Sequence, residues 1–226
     1  MKKLFSIIEN KYPRVSFTIQ HWIWISCAFS MLLLLARIIT SARFSYAFLA
    51  WNLFLAYIPF AVSTRIRSHR LHSRPKTVAL IVVWILFMPN CFYILTDLFH
   101  LHMENGRPWF DLTLIFSFAW NGMLLGILSI RDMEILLRQW KGKLFSNAVI
   151  CLVLWVNAFG VYIGRYLRFN SWDVIANPLS LLGDIGDMIV DPYEYRYAWA
   201  MSFCFAFFMI IVYYTVKNLS EPFKSV

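Results

Sequence analysis

Charge is what this sequence has least of. Of its 226 residues, 33 are Asp, Glu, Lys or Arg, or 15%, where a soluble domain carries about 25%. No charged residue occurs in the windows 15–36, 44–64, 77–96, 112–130, 144–164 and 197–216. A bilayer core about 30 Å thick needs about 20 apolar residues at 1.5 Å rise each. Each of the six windows is close to that length, and a soluble core has no reason to repeat it. The pattern excludes a soluble enzyme, a disordered tail and a nucleic-acid-binding domain. Cysteine is scarce as well. Cys27, Cys91, Cys151 and Cys204 fall in four different windows with no C-x-x-C pair, which argues against a disulfide scaffold and for small apolar packing residues. There is no internal repeat, no low-complexity tract and no composition shift marking a second domain. The first window exceeds the roughly 7–15 apolar residues of a signal peptide and lacks a small-x-small cleavage site, so it reads as a spanning helix.

What is present predicts one all-α integral membrane domain over 1–226, with six transmembrane helices. Connecting segments then alternate between two sides. One side carries the N-terminus, 65–76, 131–143 and the C-terminal tail, with 15 of the Lys and Arg residues, and the other carries 6. The positive-inside rule puts the richer side, and both termini, in the cytoplasm. The acids lean outward: Asp97, Glu104, Asp111, Asp173, Asp184, Asp187, Asp191 and Glu194. The net charge of +9 is thus a topology and anionic-lipid signal, and nucleic acid is not needed to explain it. The basic cluster with His69 and His72 reads as facing cytoplasmic headgroups.

The 165–196 connection has room for extra structure. Asn177-Pro178 reads as a helix start and Asp191-Pro192 as a stop. Between them Ser180, Asp184, Asp187 and Asp191 share one stripe, opposite Leu179, Leu182, Ile185 and Ile189. This predicts an amphipathic helix on the outer membrane surface between helices 5 and 6, weakened by Gly183 and Gly186. G-x-x-x-G spacings at Gly122/Gly126 and Gly160/Gly164 predict close packing of helix 4 on helix 5. Pro59 and Pro89 predict kinks in helices 2 and 3. Trp22, Trp24, Trp109 and Trp172, near window ends, read as interface anchors.

Polar groups in or beside the apolar windows are the functional leads, because burying one without a partner is costly. If helix 3 continues, Asn90, Tyr93, Asp97 and His100 line one face, and His102 follows. Asp111 shares a face with Gly122, Gly126 and Ser129, and Asn157 shares one with Gly160, Gly164 and Arg168. Arg165, Arg168, Asn170, Ser171, Trp172 and Asp173 cluster at the predicted outer end of helix 5. Arginine suits phosphate or carboxylate through its planar fork. Asp97, His100, His102 and Asp111 offer mixed N and O ligands to a divalent metal, or an Asp–His general base. The plainer alternative is that Asp97 and Asp111 pair with Arg165 and Arg168, that the histidines are solvated, and that Asn52, Asn121 and Asn157 make interhelical hydrogen bonds.

Met88-Pro89-Asn90 running to Tyr93, Thr96, Asp97 and His100 gives a P-N-x-x-Y-x-x-T-D-x-x-H pattern. Residues 164–173 give G-R-x-x-R-x-N-S-W-D. With the 52–59 stretch, Trp109-Phe110-Asp111 and Ala119-Trp120-Asn121-Gly122, these resemble a family of uncharacterised bacterial multi-pass membrane proteins, a domain of unknown function, over about residues 50–180. The resemblance implies a bacterial inner-membrane location and no particular activity. Cys91-Phe92 departs from the smaller pair expected after Asn90.

Three functions follow as expectations. In the first, an enzyme at the outer leaflet uses Asp97, His100 and Asp111 as catalytic groups, with a metal on Asp97, His100 and His102. Asn90, Tyr93, Arg165, Arg168, Asn170, Trp172 and Asp173 would hold a lipid headgroup or small anionic ligand. The second is a transporter or binding protein for a small solute. The third is an assembly partner docking through 165–196. Among these, convergence of the acids and arginines around a pocket favours the enzyme, and arginine–carboxylate pairs without a cavity favour the assembly partner.

Overall fold

The computed structural model describes residues 19–41, 44–68, 74–101 and 108–219. Arg43, His69, Arg70, His72, His102, Glu104 and Arg107, the basic residues before Ile19 and Lys224 lie outside them. Every regular element among the described residues is helical. In chain order these are α1 Ile19–Ser41, α2 Phe48–Ser68, α3 Arg74–Phe87, α4 Pro89–Tyr93, a 3-10 segment Ile94–His100, α5 Pro108–Tyr162, a π turn Ile163–Leu167, α6 Asp173–Ala176, α7 Pro178–Val190 and α8 Arg196–Leu219.

Five stretches are long and apolar enough to cross a membrane: His21–Ser41, Phe48–Ser68, Pro75–Phe99, Pro108–Leu167 and Arg196–Leu219. This is the architecture of a multi-pass membrane protein, and the surface agrees. Trp22, Leu32, Ile39, Val78, Phe116, Leu152, Phe203 and Phe207 are exposed along these helices. In α1 only a narrow stripe turns inward, with Ile23, Ser30 and Leu34 buried and Cys27 half-buried between them.

The fourth stretch is 60 residues long, which would make a straight helix of about 90 Å, three times the bilayer core. Gly142 breaks it, with φ 82° and ψ −179°. That backbone region is essentially reserved for glycine, because a Cβ would clash with the adjoining peptide. The chain then returns alongside itself, and the Ser146 hydroxyl donates to the Glu134 carbonyl at 3.2 Å.

Proline shapes the third stretch. Pro89 has no N–H for the carbonyl four residues back, so α3 stops at Phe87 and α4 restarts after Met88. From Ile94 the winding tightens to 3-10, with three residues per turn, so the sequence-based α-helical face through Asp97 and His100 does not persist.

The glycine spacings act differently from the expectation that helices 4 and 5 pack through them. A Cβ on Gly122 would lie 2.9 Å from the Cys91 carbonyl, and one on Gly126 2.8 Å from Cys91 Cβ. A Cβ on Gly160 would lie 2.7 Å from Pro89 Cγ, and one on Gly164 3.3 Å from the Tyr93 ring. Both motifs therefore clear space for the same short helix, α4, which is held between the two arms of α5. The glycines face α4, not each other.

Polar pairs tie the bundle at two levels. Arg37, Tyr46 and Asp111 meet at one end, and Thr64, Arg67 and Asp132 at the other. Asp111 and Asp132 lie 21 residues apart on one helical arm, about 31 Å at α-helical rise.

Candidate functional site

Asp111 is fully buried and both of its oxygens accept hydrogen bonds. Arg37 Nε donates to Oδ1 at 2.5 Å and Arg37 Nη2 to Oδ2 at 3.0 Å, a bidentate fork. The Tyr46 hydroxyl donates to Oδ2 at 3.2 Å. Burial, and then the neighbouring carboxylate, raise the Tyr46 phenol above its ordinary pKa and keep it a donor. Asp111 pairs with Arg37, not with Arg168.

Asp97 is buried on the 3-10 segment. Arg165 Nη2 donates to Oδ1 at 3.0 Å and Asn52 Nδ2 to Oδ2 at 2.8 Å. Arg165 Nε donates to Thr96 Oγ1 at 3.0 Å, and Thr96 Oγ1 donates to the Tyr93 carbonyl at 2.6 Å. The Arg165 guanidinium also lies 4.9 Å from the Tyr93 ring centroid. The group joins α2, the 3-10 segment and the π turn, three elements far apart in sequence.

Beyond the π turn the chain hooks back. Arg168 sits at φ 62° and ψ 24°, the left-handed region that a non-glycine residue enters at a cost of about 1–3 kcal/mol. Phe169 then returns its carbonyl toward Gly164, and Ser171 Oγ accepts from Asn90 Nδ2 at 2.9 Å. Asp173 stabilises the end of the hook. Its Oδ2 accepts from Asn170 N at 2.6 Å and from Asn170 Nδ2 at 3.3 Å. The hook leads into α7, where Leu181 and Met188 are buried.

The hook encloses a cavity of about 360 Å³. Its walls are mostly apolar: Trp51, Leu55, Ile85, Leu86, Pro89, Val156, Phe159, Ile163, Phe169, Val174, Leu181 and Ile185. Gly160 and Gly164 contribute backbone, and the polar lining is Asn52, Asn90, Tyr93, Asn170 and Ser171. Trp51, Ile85, Asn170 and Val174 are exposed, so the cavity reaches the surface. Its size is that of a small-molecule site, and few polar groups on apolar walls are typical of one.

The cavity walls run from Trp51 to Ile185, and the family comparison covers the same stretch. The chain belongs to the family described as Protein of unknown function (DUF1361). The family's model matches residues 51–212. No curated protein and no solved structure matches the chain. The DUF1361 region contains the cavity lining and both Asp97 and Arg165, while Arg37 and Lys217 lie outside it.

Of the candidates expected to bind a ligand, Asn90, Tyr93 and Asn170 line this DUF1361 cavity. Arg165 stands behind Tyr93, tied to Asp97. Arg168 and Trp172 are exposed and do not line it, and Asp173 works within the hook. The candidate catalytic acids Asp97 and Asp111 belong to separate ion pairs. Of the proposed metal ligands, His102 lies outside the described residues, His100 ends the 3-10 segment, and Asp97 is held by Arg165 and Asn52. Among the described residues no three His, Cys, Asp or Glu side chains gather as a metal would require.

Two buried acids escaped the sequence reading. Glu134 accepts from Tyr213 OH at 2.6 Å and from Lys217 Nζ at 2.5 Å, while Asp132 accepts from Thr64 and Arg67. The i, i+4 spacing of Tyr213 and Lys217 on an apolar helix was the available signal. Asn52 and Asn121 do make interhelical bonds, Asn121 Nδ2 to Ser30 Oγ at 2.8 Å. Asn157 Nδ2 is buried without a partner.

Proposed function

We propose that this DUF1361 protein is a membrane-embedded binding protein for an amphiphilic molecule, held in the cavity between α2, α4, the second arm of α5 and the hook. The observation that carries the reading is the cavity itself, with apolar walls, uncharged polar groups and surface access. It crosses the membrane six times as one domain, with both termini in the cytoplasm of a bacterial cell and the cavity on the outer half. The break at Gly142, which divides the 60-residue stretch into two arms, and the distribution of Lys and Arg support that topology.

The α7 helix supports the same placement. Leu181, Ile185 and Met188 share the face turned to the bundle. Leu179, Leu182, Ile189 and Val190 are exposed on a second face, and Asp184 and Asp187 occupy a third. A helix lying in the membrane surface needs those three faces: protein, lipid and water.

The carboxylates favour binding over acid–base chemistry. Asp97 and Asp111 are each buried and paired with an arginine, and neither lines the cavity, so neither is positioned to take a proton from a molecule held there.

The test fills the cavity from α7. The full chain, purified in mild detergent, is expected to carry a co-purified amphiphile detectable by native mass spectrometry. Ile185→Trp is expected to displace it while helix content and monodispersity are retained. Unchanged occupancy in a folded Ile185→Trp protein would defeat the binding reading.

A further inference from the structure

The hydrogen-bonding capacity left over in the cavity specifies what kind of head it takes. A carboxylate and a peptide carbonyl only accept, so each fixes the orientation of the amide facing it. Asn52 must turn its NH₂ to Asp97, and Asn90 must turn its NH₂ to the Phe87 carbonyl, 3.0 Å away. Asn90 Nδ2 also donates to Ser171 Oγ, so both of its protons are committed. Asn52 Oδ1 and Asn90 Oδ1 remain as acceptors. Ser171 accepts and keeps its own proton, and among the described residues the Tyr93 hydroxyl makes no hydrogen bond. The spare groups around the head are therefore the amide oxygens of Asn52 and Asn90 and the hydroxyl protons of Tyr93 and Ser171, while Asn170, exposed at the mouth with its Nδ2 on Asp173, adds an amide oxygen and one N–H.

The charges point the same way. Among the described residues no Lys or Arg lines the cavity. The Arg165 guanidinium behind Tyr93 is neutralised by Asp97, and Arg168 is exposed at the apex of the hook. A phosphate or carboxylate only accepts. It could accept from the Tyr93 and Ser171 hydroxyls, but it would also face amide oxygens with no cation to offset its desolvation, a costly burial. A hydroxyl both donates and accepts, so neighbouring hydroxyls can satisfy an amide oxygen and a Tyr or Ser proton together.

We infer that the cavity selects an amphiphile with a neutral, hydroxyl-bearing head, and not the anionic ligand that the arginine-rich motif alone would suggest. The inference rests on the binding reading above and adds the class of ligand to it. Asn52, Asn90, Tyr93 and Ser171 read the head, and the apolar walls take the chain. Two sources share that chemistry: a lipid with a free hydroxylated head, and a free polyol with no chain.

Equilibrium binding separates these cases. The full chain in zwitterionic nanodiscs is titrated with radiolabelled 1-monolauroylglycerol, dodecyl phosphate and glycerol. Monolauroylglycerol is expected to bind at least about tenfold more tightly than either of the others. Tyr93→Phe removes one hydroxyl and is expected to weaken it about fivefold, the loss of one hydrogen bond, while Ser171→Ala, which also takes the acceptor from Asn90, is expected to weaken it by at least as much. Tyr93→Phe keeps the ring against Gly164, so its effect reports the head and not the fold. Dodecyl phosphate binding as tightly would overturn the neutral-head inference and leave the cavity reading standing. Glycerol binding as tightly would overturn the amphiphile and assign a free polyol. Failure of all three probes, with a co-purified amphiphile still displaced by Ile185→Trp, would overturn the head class alone. Failure of all three with no displacement removes both readings.

Discussion

Several residues that attract attention in this sequence as chemistry are held in buried ion pairs. Asp97 and Arg165 look like an acid and an anion clamp, but in three dimensions each satisfies the other in a place with little water. Removing one partner of such a pair strands the other charge, at a cost of about 3–5 kcal/mol, while replacing both with neutral groups of similar shape costs far less. Asp97→Asn and Arg165→Gln alone are therefore expected to lower unfolding midpoints sharply in detergent, with the double variant recovering most of the loss. Additive effects in that cycle would mean the two groups are not coupled. The partner of Asp97 was legible because Arg165 lies at the same predicted membrane edge. The partner of Asp111 was not. Arg37 is 74 residues away and was one of six bases assigned to that side, with nothing in spacing or periodicity to single it out.

At the scale of elements, the glycines divide by what their missing Cβ would meet. Gly160 is pressed against the Pro89 ring, which cannot swing aside, so Gly160→Ala is expected to destabilise by about 1–3 kcal/mol through overpacking. Gly183 and Gly186 have nothing within 4 Å, so alanine at either position is expected to stabilise α7 by roughly 0.5–1 kcal/mol. Thermal unfolding of the three variants under one condition tests the contrast, and a shared sign would refute it. The G-x-x-x-G spacing correctly marks close approach. It carries no information about which helix approaches, and α4 occupies the place between the two motifs. The hook was also unreadable. Nothing in Arg165-Tyr166-Leu167-Arg168 signals a π turn followed by a left-handed arginine, and the hydrogen bond from Asn90 to Ser171 that accompanies them joins residues 81 apart.

For the whole molecule, the six-span reading predicts that the loop at Gly142 and the segment after α7 lie on opposite sides of the membrane. In a cysteine-free background, Tyr193→Cys is expected to react with an impermeant maleimide in intact spheroplasts, and Trp140→Cys only after permeabilisation. Both native side chains are exposed, so labelling reports the side and not burial. Equal labelling of both in intact spheroplasts would remove the six-span topology and the outer placement of the cavity with it.

The sequence by itself determined the solvent of this protein. Charge-free windows of bilayer length follow from composition along the chain, and each window is decided by its own residues. The sequence also marked Pro89 and the paired glycines as special positions, since the missing N–H and the missing Cβ are properties of single residues, whereas the break at Gly142 is seen only in the structure. Only the tertiary structure decided which acid meets which base, what the glycines make room for, and that Asn52, Asn90, Tyr93 and Ser171 surround one cavity. Those facts depend on side chains brought together from helices up to about 120 residues apart, and one-dimensional periodicity does not encode a partner across that distance.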